Sequence, residues 1–401
     1  MSTRFATAIM AGTDSFTTGR EVALKALGKI GNSKVDLCVV FGSSKYNFSE
    51  VVKGVRQVTG NAPLIGCSTA GEFTEEKVGT GNIACAVISS DTHKFLTGCG
   101  TGLREDVLKC LKSSVSSFSL NSKDTEYPHH TYILLLDGLS GKGEEVSLAS
   151  LSTLGTNQKI AGGSAADDFQ FKETFVFSND TVVSNALSVA QIVSKINMGL
   201  GVDHGHAPVS CPFTVTKAQG NKVYELDGKP AIKVWLDAAR EPAKKFGIDV
   251  DTMWQNPEQL AKFTFIFEGG LLTGRHGYKI RWSGITPESK DFLPFVCSVP
   301  EGSVMRVMEA SRESEIESSR NAARYALNSM NGRKVAGALV FDCAVRSALL
   351  GNEYYKAVDA IKGVIGNIPF LGVDTYGEVA LEEGQLSGFH NTTTVVLLIP
   401  D

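Results

Sequence analysis

The sequence predicts an α/β fold: a two-part protein with mixed β-sheets flanked by helices, built from repeated strand-helix-strand-loop-strand units. Three observations carry that expectation. One phrase occurs twice, "GNAPLIGCSTAGEF" at Gly60–Phe73 and "GNIPFLGVDTYGEV" at Gly366–Val379, with identity at seven of fourteen positions. Before each copy stand an apolar run of strand length and a segment of helical periodicity, and after each comes another apolar run. A weaker third copy, "TNQKIAGGSAADDF" (Thr156–Phe169), keeps Asn157, Gly162, Ser164, Asp168 and Phe169. Self-similarity of this kind marks a chain assembled from duplicated supersecondary units.

Taken in order, "VDLCVVF" (Val35–Phe41) predicts a buried strand and "FSEVVKGVRQV" a helix with apolar residues at three-and-four spacing. The first phrase then supplies a short strand ending at Gly66, a polar turn, and a return strand "IACAVIS" (Ile83–Ser89). "TYILLLDGL" (Thr131–Leu139) contains the longest apolar run, a buried strand that leads through a helical pattern into the third copy. "FTVTKAQGNKVYELDGKP" (Phe213–Pro230) reads as two strands joined at a Gly-Asn turn, and "AIKVWLDAAREPAKKFGI" as a helix interrupted near Pro242. Val304–Met330 reads as one long polar helix with a solvated charged face. "VAGALVF" (Val335–Phe341), "NEYYKAVDAIKGVI", the second phrase and "TTTVVLLI" (Thr392–Ile399) repeat the opening unit. The boundary falls near the Gly-Asn turn, giving parts 1–222 and 223–401.

Composition narrows the function. The chain has 42% hydrophobic and 20% charged residues, as a folded globular protein does. Lys and Arg number 39 against 43 acids, without a basic face, so nucleic acid is not an expected partner. No apolar run approaches the roughly 18–20 residues needed to span a bilayer, and the N-terminus lacks a cleavage region, so the expectation is a cytoplasmic protein with no membrane contact. Eight cysteines without a C-x-x-C pair point to free buried thiols rather than zinc or redox chemistry. The missing C-x-x-C-H excludes c-type haem and leaves non-covalent haem open.

The chemistry of the phrase suggests pocket walls. A strand ending at Gly66, Gly162 or Gly372 allows close backbone approach, and hydroxyls and an acid follow it. Loops at the C-terminal ends of strands are where open α/β sheets bind ligands; the same residues also suit a purely structural turn. "GCSTA" and "GGSAA" approach a nucleophile elbow, with Ser68 or Ser164 as hydrolase nucleophile, but a polar loop rather than a helix follows Ser68 and no partner His declares itself. Among the histidines only "DHGHAP" places two, His204 and His206, close enough to share a metal or offer a haem ligand; an ordinary turn is equally natural there.

These stretches resemble the signatures of the FIST family over nearly the whole chain. In the first part the resemblance rests on "VVFGSSKY", "IGCSTAGEF", "IAGGSAADDF" and "GVDHGHAPV"; in the second, on "VFDCAVRSALLG", "LGVDTYGEV" and "GFHNTTTVVLL". It implies a FIST N-terminal and a FIST C-terminal domain that sense a small ligand without catalysis, amino acids being one proposed class. With no output domain, the signal would leave through a separate sensor histidine kinase or cyclic-di-nucleotide enzyme. Stand-alone members look like the nitric-oxide-sensing haemoproteins called NosP, so the implied cofactor is haem b. Carried over by position, the family's motifs place ligand contacts at Ser68, Thr69, Glu72, Ser164, Asp168, Cys343, Tyr376 and Glu378. Arg346, at the end of a buried strand, requires an anion: a ligand carboxylate, a haem propionate, or internally Glu378. Axial candidates are His204 and His206 together, then His390, then His276.

Overall fold

The computed structural model describes residues 2–31, 33–118, 125–273, 277–382, 384–385 and 387–401. Three units of one design follow one another along it. The first runs β1 (Thr3–Met10), α1 (Ser15–Ile30), β2 (Leu37–Ser43), α2 (Phe48–Thr59), β3 (Leu64–Thr69), β4 (Glu72–Thr74), β5 (Val78–Gly79) and β6 (Ile83–Ser90). The second repeats it as β7 (His93–Thr101), α3 (Val107–Ser114), β8 (His129–Leu136), α4 (Gly143–Leu154), β9 (Lys159–Ser164), β10 (Val176–Ser178), β11 (Thr181–Val183) and β12 (Ala186–Ser194). The third opens with β13 (Gly199–Asp203) and is then interrupted by an insertion. That insertion holds β14 (His206–Pro208), β15 (Phe213–Gln219), β16 (Lys222–Leu226), β17 (Lys229–Pro230), α5 (Ala231–Lys244), α6 (Pro257–Ile266), β18 (Phe267–Leu272), β19 (Tyr278–Arg281), β20 (Leu293–Pro294) and β21 (Val304–Ala310). The third unit resumes with α7 (Arg312–Ser329), β22 (Val335–Cys343), α8 (Ala344–Leu350), α9 (Tyr354–Ile365), β23 (Phe370–Thr375), β24 (Glu378–Leu381), β25 (Phe389–His390) and β26 (Thr394–Pro400).

Each unit forms a six-stranded mixed sheet, in the orders β1-β6-β2-β3-β10-β11, β7-β12-β8-β9-β24-β25 and β13-β26-β22-β23-β4-β5. The central pairs β2–β3, β8–β9 and β22–β23 are parallel. The last hairpin of every sheet is borrowed. The first unit gives β4–β5 to the third sheet, the third gives β24–β25 to the second, and the second gives β10–β11 to the first. The exchange closes in a ring. The insertion builds a fourth sheet, β17-β16-β15-β21-β18-β19 with β14 and β20 attached. Three of the four sheets combine strands from both sides of residue 222.

The period-2 geometry of strands explains why the central strands are apolar throughout. β2 sends Leu37, Val39 and Phe41 into a core shared by all three sheets, and Cys38 and Val40 toward α1 and α2. β8 does the same with Ile133 and Leu135 inward and Leu134 and Leu136 toward α3 and α4. β22 places Leu339 and Phe341 inward and Ala338 and Val340 against α7 and α9. Phe41 and Phe341 meet edge-on in the common core, centroids 6.1 Å apart. Each such side chain contributes about 1.5–3 kcal/mol by leaving water.

The repeated glycine serves the exchange. A Cβ on Gly66 would run into the Val40 carbonyl of the neighbouring strand, and one on Gly372 into the ring of Phe73, which the borrowed β4 lays across it. The segment Val304–Met330 differs from the single helix expected: its first seven residues are β21, paired with β18, and the helix begins only after Ser311. Ser311 forms a capping box with Ser314, which fixes that boundary. All eight cysteines are free, and Cys211 is exposed. No described helix is long and apolar enough to cross a membrane.

Candidate functional site

The Thr and Glu shared by the two copies of the phrase face each other. Thr69 donates to Glu72, whose other oxygen accepts from the Asn82 backbone N–H at 3.0 Å. In the second copy Thr375 donates to Glu378 at 2.8 Å, and Glu378 accepts from both the N–H and the hydroxyl of Thr393, at 3.1 and 2.8 Å. Both pairs are buried, and burial pushes both glutamates up to about 8. Each clasp ties the departing strand to the returning one, so Thr69, Glu72 and Glu378 are saturated within the fold.

Ser68 Oγ accepts from the Phe175 N–H at 2.9 Å. Asp168, in the left-handed region at φ 54°, accepts from Ser43 Oγ at 2.9 Å and the Ser44 N–H at 2.8 Å. Arg346 is wholly enclosed, and its anion is internal. It bonds Asp342 at 2.7 Å and is ion-paired with Glu315, where Glu378 had been the expected internal partner. Tyr354 extends this network, its hydroxyl lying 2.7 Å from Asp342 and 2.6 Å from Asp374.

The histidines are spent or enclosed. His204 Nε2 meets the Tyr278 carbonyl at 3.0 Å, its Nδ1 accepts from the His206 N–H at 3.2 Å, and burial lowers it to about 4. His206 is enclosed between Glu315 at 3.4 Å and Glu268 at 3.7 Å, and burial lowers it to about 3. His390 Nε2 meets the Ala380 carbonyl at 3.2 Å. His276 lies outside the described residues. No group of three metal-ligating side chains occurs among the described residues.

A cavity of about 510 Å³ lies where the C-terminal ends of β8 and β9 face those of β22 and β23. Helix α6 and Trp282 of the insertion cover it. Of the residues expected at a ligand site, Ser164, Cys343 and Tyr376 line this cavity. Ser164 is 2% exposed, and among the described residues its hydroxyl has no hydrogen-bond partner. Burial raises the Cys343 thiol well above its ordinary value, which keeps it protonated. Tyr376 stands where the first copy has Ala70, and its hydroxyl donates to Asp167 at 2.7 Å. Asp167 also accepts the N–H groups of Phe171, Lys172 and Glu173, which curls a loop over the cavity mouth. Phe171 stacks on Tyr376 with centroids 5.1 Å apart, and Phe169 and Phe171 have φ 61° and 53°. Backbone of this kind in a bulky residue concentrates at functional sites.

The strongest wall residues that sequence reasoning missed are Trp282 and the turn Asp137–Gly143; a third, Asn391, belongs to the motif "GFHNTTTVVLL" and was reached through the family resemblance alone. Asn391 is 2% exposed; its Oδ1 accepts from the Trp282 backbone N–H at 3.4 Å, and its Nδ2 has no acceptor among the described residues. The turn had a signal, since "DGLSGKG" sets three glycines in seven residues between a buried strand and a helix. Trp282 had none, because the insertion shares no repeat with the units it covers.

Fold and cavity together define a repeat-built α/β protein with a partly covered cavity between two of its units. The chain belongs to the FIST family: residues 36–229 match the FIST N domain and residues 247–381 the FIST C domain. Those domains are sensors of small ligands. An uncharacterized protein of Methanocaldococcus jannaschii is 22% identical over 395 residues, covering 93% of this chain and 74% of the relative.

Proposed function

We propose that the chain is a ligand sensor whose ligand occupies the cavity between the second and third units and whose occupancy is relayed to a separate signalling partner, a histidine kinase or cyclic-di-nucleotide enzyme. The observation that carries this is a chamber of about 510 Å³ with aromatic walls and two almost wholly buried polar side chains, Ser164 and Asn391, left without complete pairing. Buried donors of that kind gain their bonds from a guest. The relay begins at Tyr376, which touches the cavity and, through Asp167, the loop carrying Phe169 and Phe171. A ligand that prefers one position of Tyr376 shifts that loop's population.

Haem does not fit this chamber. Among the described residues no histidine lines it, and both nitrogens of His204 are already engaged. Cys343 is held as a thiol, and the Tyr376 phenol is raised by burial and by its bond to Asp167. The favoured guest is therefore an organic molecule without iron. Hydrolysis gains no support from Ser68, whose oxygen is engaged with the Phe175 N–H, or from Ser164, which has no histidine beside it on the cavity wall.

The test is a thermal-shift screen of small metabolites on the full chain, repeated on Ala261→Trp. Ala261 is exposed on α6 at the cavity rim, so the indole blocks the chamber without disturbing the core. Stabilising compounds should lose their effect in the variant. Hits indifferent to Ala261→Trp, or a Soret band that appears on adding haem and shifts with nitric oxide, would overturn the reading.

A further inference from the structure

We infer that the guest is a small organic acid with a flat apolar body and no ammonium group, its carboxylate seated at the uncapped N-terminus of α4. This rests on the cavity being the ligand site and names the chemical class that site takes.

The donors point one way. Helix α4 starts at Gly143 with Lys142 in the capping position, and no side chain accepts from its first turn. The first main-chain bond of the helix is Val146 N–H to the Lys142 carbonyl, so the N–H groups of Gly143, Glu144 and Glu145 have no acceptor among the described residues. Gly141, Lys142 and Gly143 line the cavity, and Gly141 has φ 67°. Unpaired N–H groups at a helix start favour an anion. The independent observation is Asn391, 98% buried, on the same wall with Nδ2 unpaired. The indole N–H of Trp282 is also buried without a partner.

These donors surround one ring. A Cβ on Gly143 would collide with Phe389, and one on Gly377 would meet both Phe389 and Asn391 Nδ2. Phe389 packs against both glycines and lines the cavity between the helix start and the amide, so a flat apolar body has a ring to lie against while its acid group reaches α4.

Local charge agrees. Glu144 is paired with Arg281 at 2.7 Å and approached by Lys279 at 4.0 Å, while Glu145 faces Lys142 at 3.8 Å. Three cations thus stand against two carboxylates. Acceptors are the missing half. Asp137, the carboxylate on the cavity wall, is consumed by Arg104, Thr174 and the N–H groups of Leu139 and Asn185. Among the described residues no free carboxylate lines the chamber to hold an ammonium, which separates this ligand from an α-amino acid.

The experiment compares phenylacetate, phenylacetamide and L-phenylalanine by tryptophan fluorescence and thermal shift on the full chain. Phenylacetate should bind at least tenfold more tightly than the other two. Lys142→Glu should weaken it at least tenfold. Ser164→Ala, which removes a hydroxyl without a partner among the described residues, should weaken it severalfold at unchanged melting temperature. Equal binding of phenylacetamide, or indifference to Lys142→Glu, removes the carboxylate seat while leaving the cavity as a ligand site. Equal binding of phenylalanine overturns the exclusion of an ammonium. If none binds at millimolar concentration while other compounds give hits sensitive to Ala261→Trp, this inference falls alone; if no such hits exist either, the sensor reading falls with it.

Discussion

Arg346→Met asks what the buried guanidinium is for. Arg346 donates to Asp342 at 2.7 Å, Ser318 Oγ at 2.9 Å, the Glu315 carbonyl at 2.8 Å and Ser319 Oγ at 2.6 Å, besides its ion pair with the Glu315 carboxylate. Methionine fills much of the volume and supplies no donor. Asp342 then keeps the hydroxyls of Tyr354 and Thr394, each 2.7 Å away, whereas the Glu315 carboxylate keeps only His206 at 3.4 Å. Removing one partner of a buried pair costs about 3–5 kcal/mol, because the other charge is stranded. Set against a typical total of roughly 5–15 kcal/mol, this is a large fraction. Urea unfolding followed by circular dichroism measures it. Adding Glu315→Gln should recover part of the loss, since a neutral amide is cheaper to strand than a carboxylate. Lowering the pH should shrink the loss by protonating the orphaned acids. A single-variant cost below about 1 kcal/mol, or full additivity of the two changes, would refute the reasoning. Ligand affinity should survive in the folded variant, because Arg346 does not line the cavity.

Stability should depend on pH in two limbs. Glu72, Glu268 and Glu378 are raised by burial from 4.5 to about 8, so between those values the folded state holds protons the unfolded state has released, and their contribution falls as pH rises. His204, His206 and His390 are lowered by burial from 6.5 to about 4, 3 and 3, so their contribution falls as pH drops below 6.5. The two sets offset each other from about 4.5 to 6.5, giving a plateau in melting temperature with losses from 6.5 to 8 and again below 4.5; a melting temperature that climbs from pH 6.5 to 8 would contradict it. Asp167→Asn should speed hydrogen exchange in residues 168–174 and weaken ligand binding with little change in global stability, since the carboxylate holds three N–H groups and Tyr376. Gly66→Ala should cost about 1–3 kcal/mol in chemical unfolding, the price of displacing the Val40 carbonyl.

The repeat was plain in the sequence because the first and third units place the same residue types in the same order: Gly66 and Gly372 beside a borrowed strand, Thr69 and Thr375 beside their glutamates. What the pattern hid was whose strand pairs there. Period and composition are local, while the pairing of Glu72 with Val373 joins residues about 300 positions apart. For the same reason shared motif residues pointed to the clasps more than to the chamber. The chamber is marked by departures from the repeat, as at Tyr376 in place of Ala70, and by Trp282 and Asn391, which no spacing rule connects. Arg346 illustrates the opposite error: a buried cation needs an anion, but sequence alone does not say that Glu315, 31 residues earlier on α7, provides it.

The ring of borrowed hairpins imposes an order on synthesis. When the ribosome has released the first two units, β4–β5 has no sheet to join and β9 presents an open edge, because both wait for β23 and β24 some two to three hundred residues later. Exposed edges recruit other chains, and long-range pairing is slow. The first sheet can close once β10–β11 is made, but the second and third stay incomplete until nearly the last strand emerges, and then close together. A premature stop between β12 and β23 leaves two sheets unfinished, not one, which makes truncated products natural clients for chaperones and proteases.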